Sequence, residues 1–289
     1  MKFLQPHSWS EALAAKSAHP DAVPIMGGTD IMVELNFDRR RPAALLDLSR
    51  IPDLADWTAC DGRIRFGAGV TYRRLIDELG DRLPGLAMAA RTIGSPQIRN
   101  RGTVAGNLGG ASPAGDSHPA LLAAGAEVVI ASSRGRRVVP VCDFYLGVKR
   151  NVLEADELIE AVEIAEATGP QQFCKIGTRN AMVIAVSSFG LALHPVDRAV
   201  GTGIGSSAVT PRRAYAAEQF LADALEASGL WQSRAQLPDA LTTEFGRRVS
   251  GAASPIDDVR GTANYRLHSL SVMARRSLTW AWHDYQKAA

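Results

Sequence analysis

Cysteine is scarce in this chain and is not clustered. The 289 residues include three cysteines, Cys60, Cys142 and Cys174, which are far apart and form no CxxC motif. This pattern argues against a disulfide framework, a zinc site and an iron–sulfur cluster held by this chain alone. The six histidines are equally scattered, without an HExxH motif. We therefore expect no metal site in this chain.

Long apolar runs and a dominant charge are also missing. The longest apolar stretches, 120–131 and 181–193, contain polar residues, and neither approaches the ~20 residues that a membrane span needs. Residues 1–6 contain no apolar run of the kind found in a signal peptide. The formal net charge of +2 is too small to indicate nucleic-acid binding. We expect a cytoplasmic protein without a membrane span.

The length and composition predict two or three packed domains. Hydrophobic residues make up 46% of the chain and charged residues 21%, as in folded globular proteins. A plausible linker occurs at Thr168-Gly169-Pro170. The predicted domains are 1–169, with lobes of about 1–56 and 57–169, and 170–289. Because strands precede helices in the last part, the fold class is predicted to be α+β.

Local patterns predict most of the individual elements. Ser8 and Glu11 form a capping-box pattern at the start of a helix, and Thr71 is predicted to cap another. The segment 87–116 is rich in small and polar residues and is assigned no helix. Further helices are predicted at 30–37, 117–124, 214–227, 238–249 and 262–286, and strands at 22–26, 44–48, 63–70, 127–131, 173–176, 186–193 and 200–205, with a hairpin turn at 133–135.

Two glycine-rich stretches are the most informative features. Met26–Ile31 and Arg99–Asp116 both place glycines beside a threonine, in the second case with Asn107. Glycine lets backbone N–H groups converge on an anion, and a hydroxyl adds a donor. Each stretch alone is also explained by tight turns. Together they predict a cradle for a pyrophosphate, with Asp116 as an acceptor for a ribose hydroxyl.

The cradle is not of the Rossmann or P-loop type. The sequence has no G-x-G-x-x-G motif and no Gly-Lys pair. Gly201–Gly205 approaches the first motif, but Ser206 stands where its third glycine would fall. We interpret that segment as a strand that ends in a turn.

The sequence resembles the FAD-binding medium subunits of the xanthine dehydrogenase and carbon monoxide dehydrogenase family of molybdenum hydroxylases. The likeness rests on Met26–Ile31 and Thr92–Asn107, which match two FAD signatures, and on Phe173–Ala181 and Pro255–Arg266. It extends over essentially the whole chain. It implies a two-lobed FAD-binding domain of the vanillyl-alcohol-oxidase (PCMH) type, followed by a smaller α+β domain.

The resemblance also implies a set of cofactor-binding residues. Residues 25–31 and 103–107 are expected to enclose the pyrophosphate, Leu158 and Ile159 to pack on the cofactor, and Lys175 to lie near the flavin and tune it. Met182, Val183 and Ile184 are expected to form an apolar wall near the ring. No catalytic residue and no metal ligand is expected. The predicted cofactor-binding residues are Ile25, Met26, Gly27, Gly28, Thr29, Asp30, Ile31, Ile93, Gly94, Gly102, Thr103, Gly106, Asn107, Gly110, Asp116, Leu158, Ile159 and Lys175.

Some positions depart from the family pattern. Ala105 stands where two glycines often precede the asparagine, and it would strain the loop if this position needed positive φ. Ser95-Pro96 replaces a commoner glycine-containing pair. The four-cysteine loop that holds a 4Fe–4S cluster in some members is absent. His118 is interpreted as a surface or N-terminal helix residue, so FAD is expected to bind non-covalently. For Lys175 a surface position is the alternative.

The resemblance implies a role in electron transfer. The expected partners are a large molybdenum-binding subunit and a small iron–sulfur subunit, which carry molybdopterin and 2Fe–2S clusters, in a heterotrimer or a dimer of heterotrimers. FAD would then pass electrons to NAD, oxygen or a quinone. Two alternatives are a self-contained FAD oxidoreductase of the same fold and an assembly subunit that has lost FAD. The substrate of the complex (a purine, N-heterocycle, aldehyde or carbon monoxide) stays open.

Overall fold

The computed structural model describes residues 1–288 and begins with a small lobe built on a parallel sheet. Three short strands lie in the order β1-β3-β2, and both pairings are parallel. The Ser8 hydroxyl caps the first helix by accepting from the Glu11 N–H, whereas the Glu11 carboxylate accepts from the His7 N–H. The elements are β1 (Lys2–Leu4), α1 (Trp9–Ala18), β2 (Val23–Ile25), α2 (Ile31–Asn36), β3 (Ala44–Asp47) and a 3-10 turn at Pro52–Leu54.

The second lobe is an antiparallel sheet of five strands with helices packed against it. The strand order is β4-β5-β10-β6-β7, and a separate hairpin joins β8 to β9. Its elements are β4 (Trp57–Cys60), β5 (Arg63–Gly67), α3 (Tyr72–Leu79), α4 (Pro84–Arg91), α5 (Pro96–Arg99), α6 (Val104–Gly110), α7 (Ser117–Ala123), β6 (Glu127–Ser132), β7 (Gly135–Pro140), α8 (Val141–Phe144), β8 (Tyr145–Gly147), β9 (Arg150–Asn151) and β10 (Leu158–Ala165).

The remaining chain forms a three-stranded antiparallel sheet followed by helices. The strand order is β11-β12-β13, and the long last helix packs on β11 and β12. The elements are β11 (Gln171–Ile176), β12 (Ser187–His194), β13 (Ala199–Gly205), α9 (Tyr215–Ala227), α10 (Leu230–Ser233), α11 (Asp239–Gly251) and α12 (Ala263–Lys287). The α+β prediction is confirmed.

Apolar side chains form two buried clusters. The first extends from Ala12 to Phe173 and the second from Phe189 to Tyr285. Helix α7, from the first part of the chain, packs on strands β12 and β13. A Cβ on Gly201 would lie 1.9 Å from the Ala123 carbonyl oxygen, so the glycines of this strand allow the helix to approach closely. The domain boundary at residue 169 stays a prediction.

The stretch 87–116 differs from the sequence prediction because it contains helical segments. Helix α4 (Pro84–Arg91) overlaps the start of this stretch, and α5 and α6 lie within it. Helix α6 includes three glycines, which are poor helix formers. Burial of Val104 and Leu108 and the Thr103 cap stabilise it, so tertiary packing overrides propensity. The short helix α10 was also missed.

None of the helices in residues 1–288 is long and apolar enough to cross a bilayer. The cytoplasmic location expected from the sequence stays a prediction.

Candidate functional site

A cavity of about 520 Å³ lies where the two glycine-rich stretches, strand β10 and the segment before β12 meet. Of the 18 residues predicted to bind the cofactor, 17 line this cavity, and Lys175 is the exception. Those 17 are Ile25, Met26, Gly27, Gly28, Thr29, Asp30, Ile31, Ile93, Gly94, Gly102, Thr103, Gly106, Asn107, Gly110, Asp116, Leu158 and Ile159.

The first glycine-rich stretch follows β2 and leads into α2. Gly28 has φ of +74°, which a residue with a side chain rarely adopts. A Cβ on Gly27 would lie 1.9 Å from the Arg101 carbonyl oxygen, so the two stretches are in backbone contact. Within residues 1–288, the N–H groups of 27–30 donate to no protein acceptor. They are unpaired donors on residues that line the cavity.

The second stretch places the first turn of α6 at the cavity. The Thr103 hydroxyl accepts from the Gly106 N–H at 2.9 Å, while no acceptor in the described chain is bonded to the N–H of Ala105. Ala105 has helical backbone geometry and is not among the residues with positive φ. The strain considered for Ala105 is therefore absent. A Cβ on Gly106 would meet the Thr103 hydroxyl at 3.1 Å.

Asn107 is oriented by a buried hydroxyl chain. The Ser117 hydroxyl donates to Asn107 Oδ1 at 2.6 Å, and the Tyr72 hydroxyl donates to Ser117 at 3.4 Å. Burial raises the pKa of Tyr72 well above its usual range, so this hydroxyl stays protonated. With its oxygen engaged, the Asn107 amide can offer its NH₂ group to a ligand in the cavity.

Asp116 and Lys175 form a buried ion pair at the cavity wall. Lys175 Nζ lies 2.5 Å from Asp116 Oδ2, and their side chains are 8% and 9% exposed. The Thr92 hydroxyl donates to the same oxygen, while Oδ1 is buried without a hydrogen-bond partner. Burial raises the pKa of the Asp116 carboxyl, and the Lys175 charge opposes that shift. The surface position considered for Lys175 is wrong.

His118 is fully buried, so its interpretation as a surface residue is wrong, although it does lie in the first turn of α7. Its Nδ1 is 2.8 Å from the Tyr145 hydroxyl. Burial lowers the pKa of His118 to about 3, so the ring is neutral at neutral pH. It does not line the cavity.

The apolar wall predicted before β12 is present in part. Val183 and Ile184 line the cavity. Met182 does not, and it is exposed with φ of +50°. The wall predicted from three residues therefore consists of two.

A charged cluster at the cavity was missed by the sequence analysis. Lys149 Nζ lies 2.5 Å from the Glu34 carboxylate, and Arg40 lies 3.8 Å from it. All three residues line the cavity. The hydrogen bond from Lys149 lowers the pKa of Glu34. Because Glu34 and Lys149 are 115 residues apart, no local pattern relates them.

The family model described as "FAD binding domain in molybdopterin dehydrogenase" matches residues 1–166. The chain belongs to this family. It is 30% identical over 284 residues to the xanthine dehydrogenase FAD-binding subunit of Escherichia coli O157:H7, covering 94% of this chain and 92% of the relative. The nicotine 6-hydroxylase medium subunit of Paenarthrobacter nicotinovorans is 28% identical over 289 residues, covering 97% of both chains.

Solved structures show the same architecture. A chain of carbon monoxide dehydrogenase from Hydrogenophaga pseudoflava matches with a TM-score of 0.86 and 26% identity, covering 98% of both chains. A chain of quinoline 2-oxidoreductase from Pseudomonas putida 86 matches with a TM-score of 0.88 and 23% identity, covering 99% of this chain and 98% of that one, which shows the fold. The protein is thus an FAD-binding oxidoreductase subunit of the molybdenum hydroxylase family.

The cavity residues fit FAD. Free N–H donors at 27–30 and at Ala105 suit a pyrophosphate. The unpartnered Asp116 Oδ1 suits a hydroxyl or N–H donor, and it is costly to bury without one. Leu158, Ile159 and Val183 offer apolar surface to a ring system. The assignment of these residues to particular parts of FAD remains a proposal.

Proposed function

We propose that this chain carries electrons inside a heteromeric molybdenum hydroxylase. A large molybdenum-binding subunit would oxidise the substrate, and a small subunit with 2Fe–2S clusters would conduct electrons to this chain. From here they would pass to NAD, oxygen or a quinone. The names of the relatives support this proposal, since they denote medium or FAD-binding subunits. A heterotrimer or a dimer of heterotrimers is the proposed assembly.

One observation carries the proposal for this chain. The two glycine-rich stretches, about 75 residues apart in sequence, contact each other and present unpaired N–H groups to a single cavity. Convergent N–H donors without protein acceptors are what a bound pyrophosphate requires. FAD supplies the exchange between single-electron and two-electron transfer.

The chain's own residues have distinct tasks in this scheme. The N–H groups of 27–30 and of Ala105 would bind the pyrophosphate. Asn107, fixed by Ser117, would donate to a phosphate or carbonyl oxygen. Asp116 would accept from a hydroxyl or N–H of the cofactor. Leu158 and Ile159 would provide apolar contact.

Lys175 does not line the cavity, and its proposed role acts through Asp116. Its ammonium is paired with Asp116, so it offers little net charge of its own. We propose that Lys175 tunes the flavin by setting the protonation and orientation of Asp116. Any effect of Lys175 on the reduction potential then depends on the charge of the pair.

The test is purification of the protein from its native host under mild conditions. We expect a yellow complex in which this chain co-elutes with a large molybdenum subunit and a small iron–sulfur subunit. Addition of the complex's substrate without acceptor should bleach the flavin absorbance, and acceptor should restore it. A lone chain that turns over an organic substrate at full rate would support the self-contained oxidoreductase instead. A colourless chain would support the assembly role.

A further inference from the structure

The motif Pro255–Arg266 has no task in the function proposed above, yet it contains an unusual side chain. Arg266, at the start of α12, is 2% exposed. Its Nη1 donates to the Val186 carbonyl at 2.7 Å and to the Ser206 carbonyl at 2.6 Å, and its Nη2 donates to the Asp258 carboxylate at 2.5 Å. A buried guanidinium is costly unless its charge and donors are matched.

Both carbonyl partners are connected to walls of the cavity. Val186 ends the segment 177–186, in which Val183 and Ile184 line the cavity. The Val186 N–H donates to the Ile176 carbonyl at 2.8 Å, which closes this segment at its base. Arg266 therefore holds the end of the segment that carries the apolar wall.

The second carbonyl partner, Ser206, is connected to the second glycine-rich stretch. Ser206 has φ of +60°, and its N–H donates to the Pro113 carbonyl at 2.9 Å. The neighbours of Pro113 in the second glycine-rich stretch, Ser112 and Ala114, line the cavity. One Nη1 group thus contacts the end of segment 177–186 and also Ser206, which is hydrogen-bonded to segment 112–115.

Asp258 holds the guanidinium in this position. Its Oδ1 accepts from Arg266 and from the Arg260 N–H at 2.8 Å, and its Oδ2 accepts from the Arg260 side chain at 3.2 Å. Gly261 in the same turn lies against Val186, since a Cβ there would be 3.1 Å from Val186 Cγ1. The turn 258–261 therefore packs directly on Val186, the last residue of the segment that carries the apolar wall.

We propose that Arg266 and Asp258 are positioning residues of the cofactor cavity. Their ion pair fixes segment 177–186 relative to 112–115, and so sets the shape into which the cofactor fits. The inference rests on the proposed function, because it takes the ligand to be FAD. A purely structural ion pair would stabilise the C-terminal helices without affecting the cavity.

The test compares four variants of the full chain. Arg266→Lys keeps the charge but cannot place a planar fork of donors on three acceptors. Asp258→Asn keeps the shape but removes the matching charge. Arg260→Gln is the matched control, because it removes the half-exposed arginine from the same carboxylate. Val249→Ala is a second control, because it removes apolar volume from the second buried cluster and lies outside both segment 177–186 and turn 258–261.

Two measurements are made on each folded variant. The first is trypsin cleavage after Arg179, which is exposed in segment 177–186, without flavin. The second is the dissociation constant of FAD. We expect Arg266→Lys and Asp258→Asn to speed the cleavage and to raise the dissociation constant by about tenfold, or ~1.4 kcal/mol. The two controls should match the wild type in both measurements.

The outcomes separate the two proposals. If wild-type protein binds FAD but Arg266→Lys and Asp258→Asn match it in cleavage and affinity, the positioning role is wrong and the proposed function stands. An equal effect of Val249→Ala would also overturn it, since the effect would then reflect stability alone. If wild-type protein binds no FAD, the proposed function fails, and the positioning of a cofactor fails with it, whatever the cleavage shows.

Discussion

Lys175→Met tests the buried ion pair beside the cavity. Methionine has nearly the length of lysine and removes the charge 2.5 Å from Asp116 Oδ2. Because both side chains are less than 10% exposed, the remaining carboxylate has little solvent to replace its partner. Breaking a buried pair from one side costs about 3–5 kcal/mol of unfolding free energy. That cost applies while Asp116 stays ionised.

Protonation of Asp116 reduces the cost, so the loss depends on pH. Burial already raises the pKa of Asp116 above the ordinary 3.8, and removal of Lys175 takes away the main opposing influence. The folded carboxyl then binds a proton more readily than the unfolded one. The contribution of the Asp116 carboxyl to the free energy of unfolding is therefore most favourable at low pH. It is lost as the pH rises from the unfolded pKa through the folded pKa. The loss amounts to about 1.4 kcal/mol per unit of difference between the two pKa values.

The assay is urea unfolding at pH 5 and pH 8 for wild type, Lys175→Met, Asp116→Asn and the double variant. We expect the loss in Lys175→Met to be larger at pH 8 than at pH 5. The double variant should recover much of it, because no charge is then left unpaired. An equal loss at both pH values, or no recovery in the double variant, would refute the reasoning.

Three further predictions concern the cofactor and the core. Acid precipitation should release yellow FAD to the supernatant, since no cysteine or histidine lines the cavity in the described chain; a yellow pellet would contradict this. Gly106→Val should weaken FAD binding with little change in circular dichroism, because a Cβ at this position meets only the Thr103 hydroxyl. Gly27→Val should weaken FAD binding and also lower the melting temperature, because its side chain would clash with the Arg101 carbonyl. Equal melting temperatures of the two variants would count against this contact. The neutral His118, with a pKa lowered from 6.5 to about 3, should make stability fall as pH drops through that window, by at most about 1.4 kcal/mol per pH unit, and His118→Gln should flatten the slope measured by urea unfolding.

The two glycines line the same cavity but differ in their packing. Contact between Gly27 and the Arg101 carbonyl makes Gly27 part of the packing between the two glycine-rich stretches. Gly106 has no such backbone contact, since its Cβ would meet only the Thr103 hydroxyl.

Local patterns determined a large part of this protein. Hydroxyl caps at Ser8 and Thr71 start helices as predicted, because a cap depends on residues three positions apart. The strands at 127–131 and 200–205 were likewise found, since apolar residues bounded by turns indicate them. Family membership followed from contiguous motifs, and the predicted ligand residues within the motifs Met26–Ile31 and Thr92–Asn107 line one cavity.

Tertiary structure decided the features that join distant residues. The Lys175–Asp116 pair spans 59 residues, and the Glu34–Lys149 contact spans 115. Burial of His118 and the glycine-rich helix α6 also depend on what packs around them. A sequence states the chemistry of each side chain and its near neighbours along the chain. Packing of the chain decides which distant groups meet and whether water reaches them. Where packing excludes water, it also decides the charge states of the groups beside the cavity.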